Sequence, residues 1–262
     1  MNKITKTDHQ IAFNNLREWI DEADKLGELR HVEGASWEED IGLATELLQH
    51  DENAPCALFD DIPGYPKGFR VLANFFGATR QNMTLGFPTN LSKVELSEVF
   101  QPRYREAIAN PIPYQVVESG PVMENVMEGD DINVLKFPTP KWHEADGGRY
   151  IGTGSFNVTR DPEEDWINVG TYRVMIHDEK TVGFYISPGK HGRIHRQKYM
   201  ADDEPMPVVV VCGVDPLTFL MSSTEVPYGV CEYDVAGALR GKAMEVVIGK
   251  HTGLPFPAEA EI

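Results

Sequence analysis

Three side chains with the chemistry of metal ligands lie in the second half of the sequence, at Asn168, His191 and Glu232. An amide oxygen, an imidazole nitrogen and a carboxylate together suit a hard or borderline divalent cation such as Mn²⁺ or Mg²⁺. Two cationic residues lie close by in sequence, because Arg173 follows the asparagine by five positions and Lys190 directly precedes the histidine. A metal and cationic side chains neutralise a phosphate together. The pattern therefore predicts a phosphate bound beside a divalent cation.

Each of these residues also has an ordinary structural interpretation. Asn168 follows an acidic turn and could end a strand, Glu232 could favour a helix N-terminus, and Arg173 could form a structural ion pair. His191 and His195 form an HxxxH pair, but it lacks the glutamate of a zinc-protease motif. We expect His195 to lie at the surface or to take part in packing. Spacing alone leaves both interpretations open.

The composition is typical of a folded protein with an acidic surface. The chain has 262 residues, of which 41% are hydrophobic and 25% are charged, and this length favours about two domains. The formal net charge of −17 predicts repulsion from nucleic acids and anionic membranes, so we expect neither as a partner. No apolar run approaches the length of a transmembrane helix.

The three cysteines, Cys56, Cys212 and Cys231, are widely spaced and form no CxxC motif. An odd number without such a motif favours neither a disulfide framework nor a zinc ribbon. We therefore expect reduced thiols and a cytoplasmic location, and we expect Cys231 to be a small buried side chain.

The first part of the chain mixes helical and strand patterns. Apolar residues at helical spacing predict the helices, and a capping box at Ser36-Trp-Glu-Glu39 marks the start of the second one. The predicted elements are helices over 11–29, 36–48 and 91–110 and strands over 57–59 and 69–73. This order predicts an N-terminal α/β domain over residues 1–110.

After Pro111 the pattern changes to short segments rich in β-branched and aromatic residues, separated by turns. Strands are predicted over 115–118, 150–160, 166–177, 181–186, 208–213 and 243–250, with a helical turn over 234–241. Several short strands at this spacing are typical of a β-barrel or a sandwich. The sequence therefore predicts a β domain over residues 111–262 and an α+β protein as a whole.

Five sequence segments resemble UbiD-type decarboxylases, and they follow the family's order along essentially the whole chain. They are Phe59-Asp-Asp-Ile-Pro-Gly-Tyr-Pro-Lys-Gly-Phe-Arg-Val-Leu-Ala-Asn74, Phe137-Pro-Thr-Pro-Lys-Trp-His-Glu-Ala-Asp-Gly-Gly-Arg-Tyr-Ile-Gly-Thr-Gly154, Asn168-Val-Gly-Thr-Tyr-Arg173, Pro188-Gly-Lys-His191 and Pro227-Tyr-Gly-Val-Cys-Glu-Tyr-Asp-Val-Ala-Gly-Ala-Leu-Arg-Gly241. Several of these segments are long, so the resemblance is specific to this family.

The resemblance implies reversible, non-oxidative decarboxylation of an aromatic or α,β-unsaturated carboxylic acid. Enzymes of this family use prenylated FMN (prFMN), which a flavin prenyltransferase supplies, with Mn²⁺ and K⁺ at the cofactor phosphate. Their flavin-binding domain is a split β-barrel between an N-terminal α/β region and a C-terminal domain that builds oligomers. The resemblance therefore implies a lyase with a split β-barrel over 111–262, and a homo-oligomer in the full-length form.

The resemblance also implies roles for particular residues. Asn168, His191 and Glu232 would hold the Mn²⁺. Arg173 would bind the substrate carboxylate, because a planar guanidinium matches a carboxylate with two parallel hydrogen bonds. Besides the three metal ligands, the residues implied in contacts with the flavin, its phosphate or the K⁺ are Thr171, Tyr172, Arg173, Lys190, Ser222 and Ser223.

The sequence departs from the family in its length. Family members continue with an acidic Glu-Gly-Pro motif that supplies the proton donor, a later lysine that reaches the flavin phosphate, and the C-terminal oligomerisation domain. These 262 residues are therefore expected to contain most of the cofactor site and to lack the general acid. Such a truncated chain could be inactive as an enzyme.

Two other hypotheses stay open. The chain could be a non-catalytic flavin-binding module, or a subunit that needs a partner chain for its general acid. It could also be an unrelated split-barrel reductase that binds ordinary FMN, although no nicotinamide motif is present and Gly152-x-Gly154 lacks the third glycine of a dinucleotide fingerprint. Binding of prFMN would favour the decarboxylase, and turnover of NADH would favour the reductase.

Overall fold

The computed structural model describes residues 9–262, so the first eight residues of the predicted N-terminal domain lie outside it. The first part contains one sheet in the order β1-β2-β3, with β1 and β2 parallel and β3 antiparallel to β2. Its strands are β1 (Leu29–Glu33), β2 (Cys56–Asp60) and β3 (Val71–Ala73), and its helices are α1 (Leu16–Lys25), α2 (Asp40–Gln49), α3 (Ala78–Thr84) and α4 (Lys93–Ala109). α2 provides the crossover that two parallel strands require.

The first predicted helix is shorter than its apolar pattern indicates. α1 begins at Leu16 because Asn15 caps it, accepting a hydrogen bond from the N–H of Glu18. It ends before Gly27, which has a positive φ of 73°, and Leu29 already belongs to β1. The prediction of a helix over 11–29 was therefore wrong at both ends, and the apolar pattern ran on into a strand.

The predicted capping box at Ser36 is formed in part, because Ser36 Oγ accepts from the N–H of Glu39 at 3.4 Å. α2 begins at Asp40. The N–H of Ser36 donates to the carboxylate of Asp40, whereas the predicted box requires the carboxylate of Glu39. A complete capping box opens α4 instead, formed by Ser92 and Glu95.

The second part contains three further sheets, in the orders β10-β6-β7, β5-β8-β9 and β12-β11-β4. Their strands are β4 (Gln115–Val116), β5 (Arg149–Gly152), β6 (Ser155–Arg160), β7 (Ile167–Gly170), β8 (Arg173–Ile176), β9 (Val182–Tyr185), β10 (Val209–Cys212), β11 (Glu245–Ile248) and β12 (Pro255–Pro257). The helices of this part are α5 (His191–Ala201), α6 (Pro216–Ser223) and α7 (Glu232–Arg240). The α+β class is confirmed. Over residues 9–262 the sheets stay separate and form no closed barrel, so the split barrel remains a prediction.

The strand predicted over 166–177 is two strands in different sheets. β7 pairs with β6, β8 pairs with β5 and β9, and Thr171 and Tyr172 connect them. Burial still alternates across the break, because Tyr172 and Val174 are buried while Arg173 is exposed. The alternation of residues along this segment therefore does not reveal that the chain leaves one sheet and enters another. This change of sheet sets the geometry of the site.

One hydrophobic core extends through both parts of the chain. Its buried members in the second part include Phe156 on β6, Val169 on β7, Leu217 on α6 and Tyr233 on α7. These elements therefore form a rigid support for the polar residues that lie beside them in sequence. Among the helices of residues 9–262, none is both long enough and apolar enough to cross a membrane.

Candidate functional site

Asn168 lies on β7 directly opposite Thr159 of β6, and it is only 2% exposed. Its amide nitrogen donates to Thr159 Oγ1 at 3.1 Å and to Tyr172 Oη at 3.2 Å. Both N–H groups of the amide are therefore used. No hydrogen bond joins Asn168 Oδ1 to any other residue of the described chain. The amide oxygen is thus the part of this side chain that is free to bind a cation.

Glu232 is the first residue of α7 and is 5% exposed. Its Oε2 accepts a 2.7 Å hydrogen bond from the backbone N–H of Val169, the residue after Asn168. Burial raises the pKa of Glu232 to about 8, although hydrogen bonds from the N–H groups of Val169 and of Glu232 itself act against this rise. A cation bound at this carboxyl would favour its ionised form.

His191 is the first residue of α5, and Lys190 is the N-cap of that helix. The imidazole packs edge-on against the rings of Trp166 and Tyr228, with centroid distances of 5.0 and 5.8 Å. Partial burial lowers the pKa of His191, against the attraction of Glu225. The ring is therefore neutral near pH 7, which is the form that binds metals.

Tyr172 joins the strand that carries Asn168 to the helix that carries His191. Its hydroxyl oxygen accepts from Asn168 Nδ2 at 3.2 Å and from the backbone N–H of Gly192 at 3.0 Å. The close approach requires a glycine at 192, because a Cβ there would lie 2.7 Å from Tyr172 Oη. Since Tyr172 accepts two hydrogen bonds, its own proton remains available for a third partner.

Thr171 and Ser222 lie side by side next to this link. The backbone N–H of Thr171 donates to the carbonyl oxygen of Ser222 at 3.2 Å. The hydroxyls of Ser222 and Ser223 donate to the carbonyl oxygens of Phe219 and Leu220 within α6, at 2.6 and 2.9 Å. Both hydroxyl oxygens therefore keep lone pairs that can accept from, or bind to, another group.

Arg173 is separated from the three donor residues and faces a large cavity. The cavity has a volume of about 1330 Å³ and is lined by residues from both parts of the chain, among them Leu72, Phe75, Tyr150 and Phe219. None of Asn168, His191 and Glu232 lines it. The short connection from β7 to β8 thus runs from the buried donors to the cavity, and Arg173 is the cation at its cavity end.

The donor residues fit a divalent cation by their chemistry. Asn168 offers an amide oxygen with no other partner, Glu232 a buried carboxylate and His191 a neutral imidazole. Hydrogen bonds connect the segments that carry these donors. The Val169 N–H donates to Glu232, and the Tyr172 hydroxyl oxygen accepts from Asn168 and from the N–H of Gly192, the residue after His191. Within residues 9–262 no group of three or more His, Cys, Asp or Glu side chains forms a metal cluster, so a site here depends on the asparagine.

A second set of buried polar residues lies behind Asn168, and the sequence did not predict it. His195 is 0% exposed, so of the two predicted places, at the surface or in the packing, the structure shows the second. Its Nδ1 lies 3.0 Å from Thr159 Oγ1, and its Nε2 lies 3.7 Å from Asp161 Oδ2. The only sequence signal was its position four residues after His191, which places both on one face of a helix.

Two domain models of one known family match the chain. Residues 115–262 match the model of the 3-octaprenyl-4-hydroxybenzoate carboxy-lyase Rift-related domain, and residues 20–98 match the N-terminal domain of the same carboxy-lyase. The first match alone covers more than half of the chain. The chain belongs to the UbiD family.

Individual relatives are decarboxylases. The chain is 31% identical over 259 residues to the pyrrole-2-carboxylic acid decarboxylase of Pseudomonas aeruginosa, with 95% of this chain and 51% of the relative covered. The vanillic acid decarboxylase of Sedimentibacter hydroxybenzoicus in closed form is similar in structure, with a TM-score of 0.87, 31% identity and coverage of 95% and 53%. An evolved dimeric form of the UbiD-class enzyme HmfF from Pelotomaculum thermopropionicum, in complex with prFMN, gives a TM-score of 0.84, 25% identity and coverage of 95% and 55%. The chain thus spans about half the length of the relatives that it matches.

Proposed function

We propose that this chain forms the cofactor and metal site of a prFMN-dependent decarboxylase acting on an aromatic or α,β-unsaturated carboxylic acid. The observation that carries the proposal is the linked donor set, in which Asn168, Glu232 and the N-terminus of α5 are joined by the Val169 N–H and the Tyr172 hydroxyl. The reaction is non-oxidative and reversible, so the same site would also catalyse carboxylation.

In this proposal Asn168 Oδ1, a nitrogen of His191 and the Glu232 carboxylate hold Mn²⁺ at the cofactor phosphate. Lys190 and the N-terminus of α5 add positive charge, because a helix N-terminus attracts anions. Thr171, Tyr172, Ser222 and Ser223 would offer hydroxyl and carbonyl oxygens to the phosphate and to a K⁺ ion. The flavin, when bound, supplies an electron sink for the carbanion that loss of CO₂ leaves.

Arg173 binds the substrate carboxylate at the cavity end of the same segment. Its guanidinium can form two parallel hydrogen bonds to a carboxylate, and it has no ion-pair partner among the described residues that would compete. The aromatic rings of Phe75 and Phe219, with centroids 5.3 Å apart, form an apolar wall of the cavity. An aromatic or unsaturated acid suits a cavity that combines such an apolar wall with a guanidinium that has no ion-pair partner among the described residues.

Several finer features belong to the same proposal. The sheets β10-β6-β7 and β5-β8-β9 would form the split β-barrel around the flavin, within a domain that begins near residue 111. A flavin prenyltransferase would supply the cofactor, the assembled enzyme would be a cytoplasmic homo-oligomer, and the proton donor would come from outside the residues described. In the alternative proposal the chain is a flavin-binding subunit that needs a partner chain for this acid.

The test is to co-express the chain with a flavin prenyltransferase, identify the released small molecule by absorbance and mass spectrometry, and measure metal content. The proposal predicts prFMN with about one Mn²⁺ per chain, as a single metal site would require. Release of CO₂ from a panel of aromatic acids would then separate a complete enzyme from a flavin-binding subunit. Plain FMN together with NADH oxidation would overturn the proposal.

A further inference from the structure

The buried histidine on α5 is connected to the donor set through one hydroxyl group. His195 Nδ1 lies 3.0 Å from Thr159 Oγ1, and the same oxygen lies 3.1 Å from Asn168 Nδ2. All three side chains are at most 2% exposed, so water does not compete for these contacts. A continuous chain of hydrogen bonds therefore runs from His195 on α5 through Thr159 to Asn168.

The tautomer of His195 sets the direction of its hydrogen bond with Thr159. Thr159 Oγ1 accepts from the Asn168 amide, and its own proton is available for His195 Nδ1. His195 accepts that proton at Nδ1 in the tautomer that carries its own proton on Nε2. That N–H is buried without a hydrogen-bond partner and lies 3.7 Å from the Asp161 carboxylate, whose negative charge favours this tautomer.

Asp161 is itself held as a carboxylate. Its oxygens accept from Lys198 Nζ at 2.7 Å and from the backbone N–H groups of Glu163 and Glu164 at 2.9 and 3.1 Å. Burial alone would raise the pKa of Asp161, but these hydrogen bonds outweigh it and lower the pKa to about 2. The charge that selects the His195 tautomer is therefore present throughout the neutral range.

The alternative orientation of the asparagine is incompatible with this chain. If the amide of Asn168 were rotated by 180°, its oxygen would face Thr159 Oγ1 and would take the hydroxyl proton. His195 Nδ1 would then lose its donor, while the amide N–H groups would point toward the proposed cation. A cation is repelled by such donors and attracted by an amide oxygen.

We propose that Thr159 and His195 are positioning residues that hold the Asn168 amide with its oxygen toward the cation. This inference rests on the proposed function, because it presumes that Asn168 is a ligand. Groups that hydrogen-bond to metal ligands fix their orientation, and their loss lowers metal affinity by about 10- to 100-fold. Neither residue touches the metal, the flavin or the substrate in this scheme.

Matched substitutions at Thr159 separate positioning from packing. Thr159→Val keeps the shape of the side chain and removes the hydroxyl, whereas Thr159→Ser keeps the hydroxyl and removes a methyl group. Thr84→Val is a control, because Thr84 is also fully buried and its hydroxyl oxygen accepts a 2.8 Å hydrogen bond from Trp19 Nε1 in the N-terminal part. Thr159→Val and Thr84→Val are the same substitution, but only Thr159 belongs to the hydrogen-bonded chain from His195 to Asn168.

We would measure the Mn²⁺ affinity of the purified chain in the presence of saturating FMN. The electron paramagnetic resonance signal of free Mn²⁺ reports the binding, and thermal unfolding is recorded in parallel. We expect Thr159→Val to weaken Mn²⁺ binding by about 10- to 100-fold, and Thr159→Ser and Thr84→Val to stay near the parent value. Parent-like binding by Thr159→Val, or equal losses in the valine and serine variants, would overturn the inference.

His195 provides a second pair if Thr159→Val does not fold. His195→Asn places an acceptor near the position of Nδ1 and is expected to retain most of the affinity, whereas His195→Leu removes the acceptor and is expected to lose it. Equal affinities in these two folded variants would contradict the positioning role. If the parent chain binds no Mn²⁺, the proposed cation site itself is wrong. If the parent binds Mn²⁺ and the variants bind it equally well, only the positioning role is wrong.

Discussion

The backbone N–H of Val169 donates a 2.7 Å hydrogen bond to Glu232 Oε2 across 63 residues of sequence. This bond attaches the N-terminus of α7 to the strand that carries Asn168. Within residues 9–262 no lysine, arginine or histidine forms an ion pair with this carboxyl, so its burial is not compensated by a side-chain charge. A buried carboxyl without a cationic partner has a high affinity for a cation that can reach it.

The first prediction concerns the charge of Glu232. Glu232→Gln keeps an oxygen that can accept from the Val169 N–H, but it removes the negative charge that a divalent cation requires. We expect the variant to fold and to lose Mn²⁺ and prFMN together during purification. Metal analysis and the flavin absorbance of the purified protein measure both losses.

Asp234→Asn is the matched control for this substitution. Asp234 lies two residues further along α7, and its carboxylate accepts from the backbone N–H of Tyr114 at 2.9 Å. Its neutral variant should retain metal and flavin. If Glu232→Gln also kept a full complement of Mn²⁺, Glu232 would not be a ligand.

The second prediction separates substrate binding from cofactor binding. Arg173 lines the cavity and does not contact the donor set by any hydrogen bond among the described residues. Arg173→Ala should therefore retain more metal and flavin than Glu232→Gln, and it should abolish CO₂ release from aromatic acids in the assembled enzyme. Arg70→Ala removes another arginine that lines the same cavity and should keep turnover. Equal turnover in the two variants would remove the role assigned to Arg173.

The elements that carry the proposed donor residues differ from the sequence prediction. No element was predicted for Lys190 and His191, and the structure shows them as the N-cap and first residue of α5. Only Gly192 and His195 are buried in that helix, so its apolar pattern is too weak to reveal it. The position of Lys190 and His191 at a helix N-terminus could therefore be seen only in the structure.

The network behind Asn168 was hidden for a different reason. Thr159 lies in a predicted strand, where a threonine is ordinary, and its contact with Asn168 depends on the pairing of β6 with β7. The register of two strands is a long-range property that a single sequence does not encode locally. Types of ligand could thus be predicted from the sequence, whereas the hydrogen bonds that orient them could not.

The third prediction concerns the approach of α5 to Tyr172. In Gly192→Ala the new Cβ would lie 2.7 Å from Tyr172 Oη, so either the helix or the tyrosine must move. Overpacking of this kind costs about 1–3 kcal/mol of stability. We expect a lower melting temperature and weaker Mn²⁺ retention, because the displaced tyrosine no longer holds the Asn168 amide.

Gly147→Ala controls for the general effect of replacing a glycine. A Cβ at Gly147 would meet only Met175 Sδ, at 3.8 Å, which is an ordinary contact. This variant should keep both the melting temperature and the metal content of the parent. A Gly192→Ala protein with parent-like stability and metal content would show that the contact between Tyr172 and α5 does not support the site.

The fourth prediction concerns pH and the buried imidazole of His195. Burial lowers the pKa of His195 from 6.5 to about 4; Asp161 opposes this shift, while Lys198 and His191 add to it. Below pH 6.5 the unfolded chain binds a proton at this ring, and the folded chain does not until the pH approaches 4. The free energy of unfolding should therefore fall as the pH is lowered through this window, by on the order of 3 kcal/mol.

Urea unfolding between pH 7 and pH 4 in the parent and in His195→Asn measures this contribution. The variant has no titrating ring at this position, so its free energy of unfolding should fall less steeply over the window than that of the parent. His50→Asn is the control, because the side chain of His50 is 73% exposed whereas that of His195 is buried. Parallel curves for the parent and His195→Asn would mean that the ring takes up its proton in the folded chain, and the tautomer assigned to His195 would then be untenable.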